Sequence, residues 1–306
     1  MRAALIGTDG HFTMADHASP QPEGGYRRIT VSSAGIGPTD LMRAKGFFGP
    51  VTTPYIPAGE GVGLLEDGRR VYFGHGKPPF GALAAHTLVA EDEIWPVPDD
   101  LGDDQLVALG ISGTGALIPL EEAQIAKGES VLILGATGPV GQIGAQVARL
   151  LGAGRVVVAA RNRPALEAMQ AKGHADALAV LGEGDDEAAL KAVADGGYDV
   201  ILDIIYGPPA QAAMRATRPG ARMMSIGVQA GQTVSLSLRD LVFRSHVGVG
   251  TGQRPAAERG DAYARLIAMA RKQGLTVDTR CYTFDDAPAA WAAQAGSPHG
   301  KIVIGF

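Results

Sequence analysis

Cysteine is almost missing from this chain of 306 residues: Cys281 stands alone. No disulfide can form within the chain, and the expected compartment is the reducing cytosol. A structural zinc normally takes four Cys or His ligands at close spacing. The seven histidines (11, 17, 75, 86, 174, 246 and 299) form no HxxxH or HxH pair, so no metal is expected. No stretch approaches the roughly 20 apolar residues of a membrane helix. Residues 1–8 hold one arginine and a short apolar stretch, and they read as a first strand rather than a leader. No basic stripe is present either, and 27 basic against 32 acidic residues are interspersed along the chain. Binding to nucleic acid is therefore not expected.

What is abundant is glycine, 43 residues without a fixed period, so no repeat architecture is expected. Hydrophobic residues at 46% and charged residues at 19% fit a folded chain, and the length suits two domains. Up to about residue 110, short apolar runs broken by Gly and Pro (27–31, 61–65, 70–73, 83–90) predict a β-rich domain. From Gly128 the texture changes. Strands at 130–134, 155–160, 199–203 and 222–227 alternate with helices at 142–151, 164–172, 185–194 and 209–218. That alternation predicts a parallel sheet with right-handed crossovers. A helix at about 257–272 and a strand at 301–304 return to the first domain. The expected division is a substrate domain of residues 1–112 and 253–306, and a dinucleotide-binding domain of residues 113–252. The run 241–250 reads as an edge strand of the nucleotide sheet.

The segment Gly135-Ala136-Thr137-Gly138-Pro139-Val140-Gly141 lies between the strand ending at Leu134 and the helix that follows. It is not the strict GxGxxG, since its second glycine is displaced by one. The strand–turn–helix context is the required one. A side chain in the turn would keep the backbone from a pyrophosphate, whose charge the bare N–H groups and helix N-terminus stabilise. About twenty residues on, NAD sites place Asp or Glu at the end of the second strand for the ribose hydroxyls. Here Ala159 and Ala160 run into Arg161, Asn162 and Arg163. A carboxylate would repel a 2′-phosphate, whereas guanidinium groups hold it with charge-assisted bonds. The expected cofactor is NADP(H).

These features resemble the medium-chain dehydrogenase/reductase superfamily, in its zinc-independent quinone oxidoreductase-like branch. Ala34-Gly35-Ile36-Gly37-Pro38-Thr39-Asp40-Leu41 resembles the family's Ala-Gly-Ile-x-x-x-Asp segment, and Pro57-Ala58-Gly59-Glu60-Gly61-Val62-Gly63 its Gly-x-Glu-x-x-Gly turn. Asp203 after Val200-Ile201-Leu202, and the closing Gly300-Lys301-Ile302-Val303, match in order and spacing. The resemblance implies a Rossmann doubly wound sheet beside a β-rich, GroES-like substrate domain, with the active site in the cleft between them. It places Thr114, residues 135–141, Arg161, Asn162, Arg163, Asp203, Ile226, Gly227, Val228 and Lys301 at the cofactor. It places Phe47, Phe48 and Tyr206 at a flat, apolar acceptor. Zinc-using relatives carry ligands where Gly37, Gly59 and Gly110 stand here. Many zinc-free relatives carry asparagine at the Gly37 position, and the segment between Gly61 and Val71 is shorter than usual in the family.

The expected reaction is hydride transfer from NADPH to a quinone or to the β-carbon of an α,β-unsaturated carbonyl. Tyr55, Tyr72 and Tyr206 are candidate proton donors, each also readable as an amphipathic residue with its hydroxyl at the surface. His75 reads as a solvated loop residue, Asp40 as a turn acceptor and Cys281 as a packing residue. A methyltransferase would show an acidic residue where Arg161 stands, and no Tyr-x-x-x-Lys of a short-chain dehydrogenase is present. The rival is a non-catalytic NADPH-binding redox sensor or structural protein. Relatives of this type pair through the region 241–250, so a homodimer is expected.

Overall fold

The structure is a computed structural model and describes residues 1–306. Its strands are β1 (Arg2–Ile6), β2 (Phe12–Asp16), β3 (Tyr26–Ile36), β4 (Glu60–Leu64), β5 (Arg70–Gly74), β6 (His86–Ala90), β7 (Ile94–Pro96), β8 (Ser130–Leu134), β9 (Arg155–Ala160), β10 (Ala177–Val180), β11 (Tyr198–Asp203), β12 (Thr217–Ser225), β13 (Ser245–Gly248), β14 (Thr279–Thr283) and β15 (Lys301–Gly305). Its helices are α1 (Pro38–Ala44), α2 (Asp103–Leu109), α3 (Ile111–Glu122), α4 (Pro139–Leu150), α5 (Arg163–Ala171), α6 (Asp186–Ala192), α7 (Gly207–Arg215), α8 (Leu238–Leu241), α9 (Ala256–Gln273) and α10 (Ala287–Ala295). They form two compact units, one of residues 1–111, 255–272 and 276–306, the other of residues 112–254 and 273–275.

In the second unit, six parallel strands stand in the order β10-β9-β8-β11-β12-β13. The chain enters at β8, winds outward to β10, then returns to β11 on the other side, which is the doubly wound Rossmann order. The sequence produces this because Val131–Leu134 of β8, Val156–Ala160 of β9 and Val200–Leu202 of β11 are unbroken apolar runs that can be buried on both faces. Leu132, Val157, Ile201, Ala213 and Met223 belong to one continuous core. The winding reverses between β8 and β11, so the carboxyl ends of those strands flank the crevice where such sheets bind ligands.

In the first unit, a mixed sheet runs β14-β15-β3-β4-β5-β7, with β6 also paired to β3 and β1-β2 forming a separate hairpin. Strand β3 is the spine. Its first half pairs with β6 and its second half with β15, and a register shift between Val31 and Ser33 turns it between the two. Ile29, Val31, Ala34, Phe73, Leu83, Ile302 and Ile304 fill the core beneath it.

Several elements differ from their sequence-based ranges. β3 is more than twice as long as the expected strand, because Ala34-Gly35-Ile36 continue it before Gly37 and Pro38 turn the chain into α1. α4 opens at Pro139 rather than at residue 142, since proline suits a first helical turn. α7 begins at Gly207, and β12 starts at Thr217 and stops at Ser225. The strand expected at 241–250 shrinks to β13, because α8 covers Leu238–Leu241 and Phe243 takes a left-handed φ of 66° that no strand tolerates. Cys281 is exposed on β14 rather than packed. No helix is long and apolar enough to cross a membrane.

Candidate functional site

The glycine turn joins β8 to α4, and its three glycines are needed for three different reasons. Gly135 has φ of 89°, and a Cβ there would stand 2.6 Å from Ile205 Cγ2. Gly141, in the first turn of α4, lies so close to the Ala136 backbone that a Cβ would overlap it. Gly138 is the N-cap of α4, and no atom stands within 4 Å of where its Cβ would be. The turn is therefore closed on the protein side and open at Gly138, in front of the first N–H groups of a twelve-residue helix. Those groups have no intrahelical partner and favour an anion. Thr137 is buried, and its carbonyl accepts from Gln142 Nε2 at 3.0 Å, which fixes the loop's course. Thr114 is buried in α3.

At the end of β9 the three expected residues separate by role. Asn162 caps α5, its Oδ1 accepting from Ala165 N at 3.0 Å. Arg163 is paired with Glu183 at 2.9 Å. Arg161 is exposed and has no partner. A cavity of about 330 Å³ opens beside Arg163, with Glu183, Asp185 and Asp186 on its wall. Glu183 was not visible as a site residue in the sequence. It lies twenty positions beyond Arg163, and only the pairing of β9 with β10 brings the two together.

Asp203 ends β11 with no exposed surface. Its Oδ1 accepts from Ile205 N (3.1 Å) and Tyr206 N (2.8 Å), and its Oδ2 accepts from Ser225 Oγ at 2.6 Å. Ser225 Oγ in turn accepts from His246 Nε2 at 2.9 Å, and the His246 ring stacks on Tyr206. Burial pushes the Asp203 carboxyl up from its ordinary value, while its hydrogen bonds oppose the shift. The carboxylate thus holds the 204–206 turn, in which Tyr206 has φ of 56°. Both of its oxygens are engaged within the protein. Gly227 is required by close approach, since a Cβ there would overlap Ile204 O; Ile226 N donates to Asp203 O at 2.9 Å, and Val228 follows in the same loop.

In the first unit, Glu60 and Lys301 form a buried ion pair, exposed by only 2% and 3%. Glu60 Oε2 also accepts from Tyr72 Oη (2.7 Å) and Ile111 N (2.8 Å). Tyr72 is stacked between Trp95 and Tyr263, so its hydroxyl is internal and not at the surface. Burial, reinforced by the Glu60 charge, pushes it well above the usual phenol range. Tyr55 likewise buries its hydroxyl, which has no partner, and burial pushes it up to about 12. Asp40 accepts from Gly37 N at 2.8 Å at the start of α1, and burial pushes its carboxyl up to about 6. Phe47 and Phe48 are exposed and meet edge to face. His75 is not merely solvated: its ring lies against Arg259 Nη1 (2.9 Å) and Glu93, with φ of 55°.

The three glycines at positions where zinc-using relatives carry ligands offer no donor atom. Gly59 faces open space and a Cβ at Gly37 would be in ordinary contact with Lys301 Nζ and Asp40 Oδ2, whereas a Cβ at Gly110 would overlap Tyr72 Oη. At that third position the Glu60–Tyr72 hydrogen bond fills the volume that a ligand side chain would need.

Residues 139–271 match the family described as zinc-binding dehydrogenase. Gly37, Gly59 and Gly110 lie outside that match. Among curated proteins, a phenolphthiocerol/phthiocerol polyketide synthase of Mycobacterium tuberculosis is 27% identical over 308 residues, covering 93% of this chain. The chain spans only 14% of that protein's length. Quinone oxidoreductase-like protein 2 of Bos taurus is 23% identical over 262 residues, 81% of this chain and 74% of that one. Among solved structures, the quinone oxidoreductase of Thermus thermophilus, also solved in complex with NADPH, matches at a TM-score of 0.84 and 26% identity over 100% of both chains.

Proposed function

We propose, from the premise that the chain belongs to the medium-chain dehydrogenase/reductase superfamily in its quinone oxidoreductase-like branch, that it is an NADPH-dependent reductase of a quinone or an α,β-unsaturated carbonyl. The observation that carries this reading is the turn at 135–141, open at Gly138 in front of the α4 N-terminus, together with the unpaired Arg161 at the end of β9. The residues fit the cofactor: the α4 amides take its pyrophosphate, Arg161 its 2′-phosphate, and Ile226, Gly227 and Val228 line the nicotinamide seat. Bound NADPH supplies the hydride. The chain's own part is to bind, orient and exclude water. Phe47 and Phe48 give apolar surface to a flat, uncharged acceptor.

The donor set does not fit a catalytic zinc, because the three expected ligand positions are glycines and one is overrun by Tyr72. The likeness to a polyketide synthase favours the unsaturated carbonyl within the acceptor class. A second reading, an NADPH-binding sensor without turnover, draws on the missing side chain at Gly37. Following NADPH consumption over a panel of quinones and enones separates them. The reductase reading expects at least one acceptor to be turned over. Tight NADPH binding with every acceptor left unreduced would overturn it in favour of the sensor.

A further inference from the structure

Leu181 N donates to Ala160 O at 2.9 Å, so the chain leaving β10 runs beside the chain leaving β9. Residues 182 and 183 are thereby set against the two arginines, and each arginine meets something different there. The side chain of Arg161 passes over Gly182, with Cγ 3.8 Å and Cδ 4.0 Å from where a Cβ would stand, and finds no carboxylate at that position. Arg163 Nη2 donates to Glu183 Oε2 at 2.9 Å. The backbone is fixed on both sides of this contact. Arg163 is the first residue of α5, which Asn162 caps. Opposite it, Gly182 has φ of 81°, its N–H donates to Asp186 Oδ1 at 2.7 Å, and Asp185 caps α6. Glu183 has no part in that framework. Its carboxylate is exposed and is engaged by Arg163 alone.

A phosphate monoester carries about two negative charges at neutral pH and is held by guanidinium groups through charge-assisted bonds. Two arginines match that charge, but in the free chain Glu183 cancels one of them. We propose that Glu183 is a specificity-determining residue for the cofactor: its carboxylate holds Arg163 as the 2′-phosphate of NADPH would, so NADPH must take Arg163 from it and NADH need not. The inference rests on the cofactor reading above and concerns the same seat. Glu183 opposes only the phosphorylated dinucleotide, because the other has an uncharged hydroxyl at that ribose position. The chain therefore discriminates between the two less sharply than its pair of arginines would allow. An exposed ion pair is weak, so the phosphate displaces the carboxylate and NADPH stays the favoured cofactor. The glutamate moderates the preference without reversing it.

The experiment titrates NADPH and NADH separately into the parent chain, Glu183→Gln, Arg163→Ala and the double variant Arg163→Ala/Glu183→Gln. Glutamine keeps the size of the side chain and removes its charge at an exposed position, so Glu183→Gln is expected to fold as the parent does. Its NADPH affinity is expected to rise by about 2- to 5-fold, the strength of an exposed ion pair, while NADH affinity stays unchanged. In the Arg163→Ala background the same change is expected to gain less. A merely structural role for Glu183 would move both dinucleotides alike, and that result overturns the inference. NADPH affinity that stays at the parent's value in Glu183→Gln overturns it as well. So does a gain in the Arg163→Ala background as large as in the parent, since the carboxylate would then act by repulsion alone and not by holding Arg163. A parent chain that binds neither dinucleotide defeats the cofactor reading, and this inference with it. A parent that binds NADPH but is indifferent to Glu183→Gln leaves that reading standing and removes the inference alone.

Discussion

Arg161 and Arg163 stand two positions apart and carry the same charge, but Glu183 already neutralises one of them. A surface ion pair of this kind contributes at most about 1 kcal/mol, so Arg163 is still recruitable by a phosphate, at a cost. Arg161→Ala is therefore expected to weaken NADPH binding by about 10- to 100-fold, the worth of a charged hydrogen bond, and Arg163→Ala by less. Glu183→Gln should tighten it, since a repelling carboxylate is removed; calorimetric titration of the three variants checks the order. Asp40 yields a second prediction at this scale. Its folded pKa of about 6 lies above the ordinary 3.8, so its contribution to stability is fully present below about pH 3.8 and is lost as pH rises through 6. Relative to Asp40→Asn, the parent should gain up to about 3 kcal/mol between pH 7 and pH 4, measured by urea unfolding at each pH. The arginines were legible in the sequence because their position after β9 has a known electrostatic meaning. Glu183, Ser225 and His246 were not, since each acts on a residue about twenty positions away that only strand pairing brings near.

Among the elements, the β8–α4 turn separates packing from binding within a single motif. Gly141→Ala forces a methyl group into the Ala136 backbone and is expected to destabilise the chain by about 1–3 kcal/mol. Gly138→Ala meets nothing in the protein, so the melting temperature should hold while NADPH affinity falls, because the methyl group stands where the pyrophosphate would. Thermal unfolding together with NADPH titration distinguishes the two. The order of β8, β9, β11 and β12 and of the helices between them was readable from the sequence, but the edge strand β10 was not expected. The ends of the elements were not readable either. Pro139 and Pro208 shift helix starts by fitting the first turn, and the left-handed Phe243 cuts β13 short. The buried environments of Tyr55 and Tyr72 were also hidden, since a tyrosine's neighbours across a sheet leave no local mark in the sequence.

On the scale of the whole molecule, the pyrophosphate seat and Arg161 belong to one unit, and the Lys301–Glu60–Tyr72 cluster to the other. A homodimer remains the proposal for the assembled state. β13 is the edge of its sheet, and Leu238, Phe243 and Val247 are exposed on or beside it. An apolar sheet edge of this kind invites pairing with a second copy. Val247→Lys should shift the chain toward monomer in sedimentation experiments, and an unchanged mass would argue against that edge. The most direct test of the whole account is the ratio of NADPH to NADH affinity, measured by titration in the parent chain and in the Arg161→Ala/Arg163→Ala double variant. The parent is expected to favour NADPH by about 10- to 100-fold, and the double variant to bind both cofactors equally. Equal affinity for the two cofactors in the parent, or a preference that survives the loss of both arginines, would contradict it.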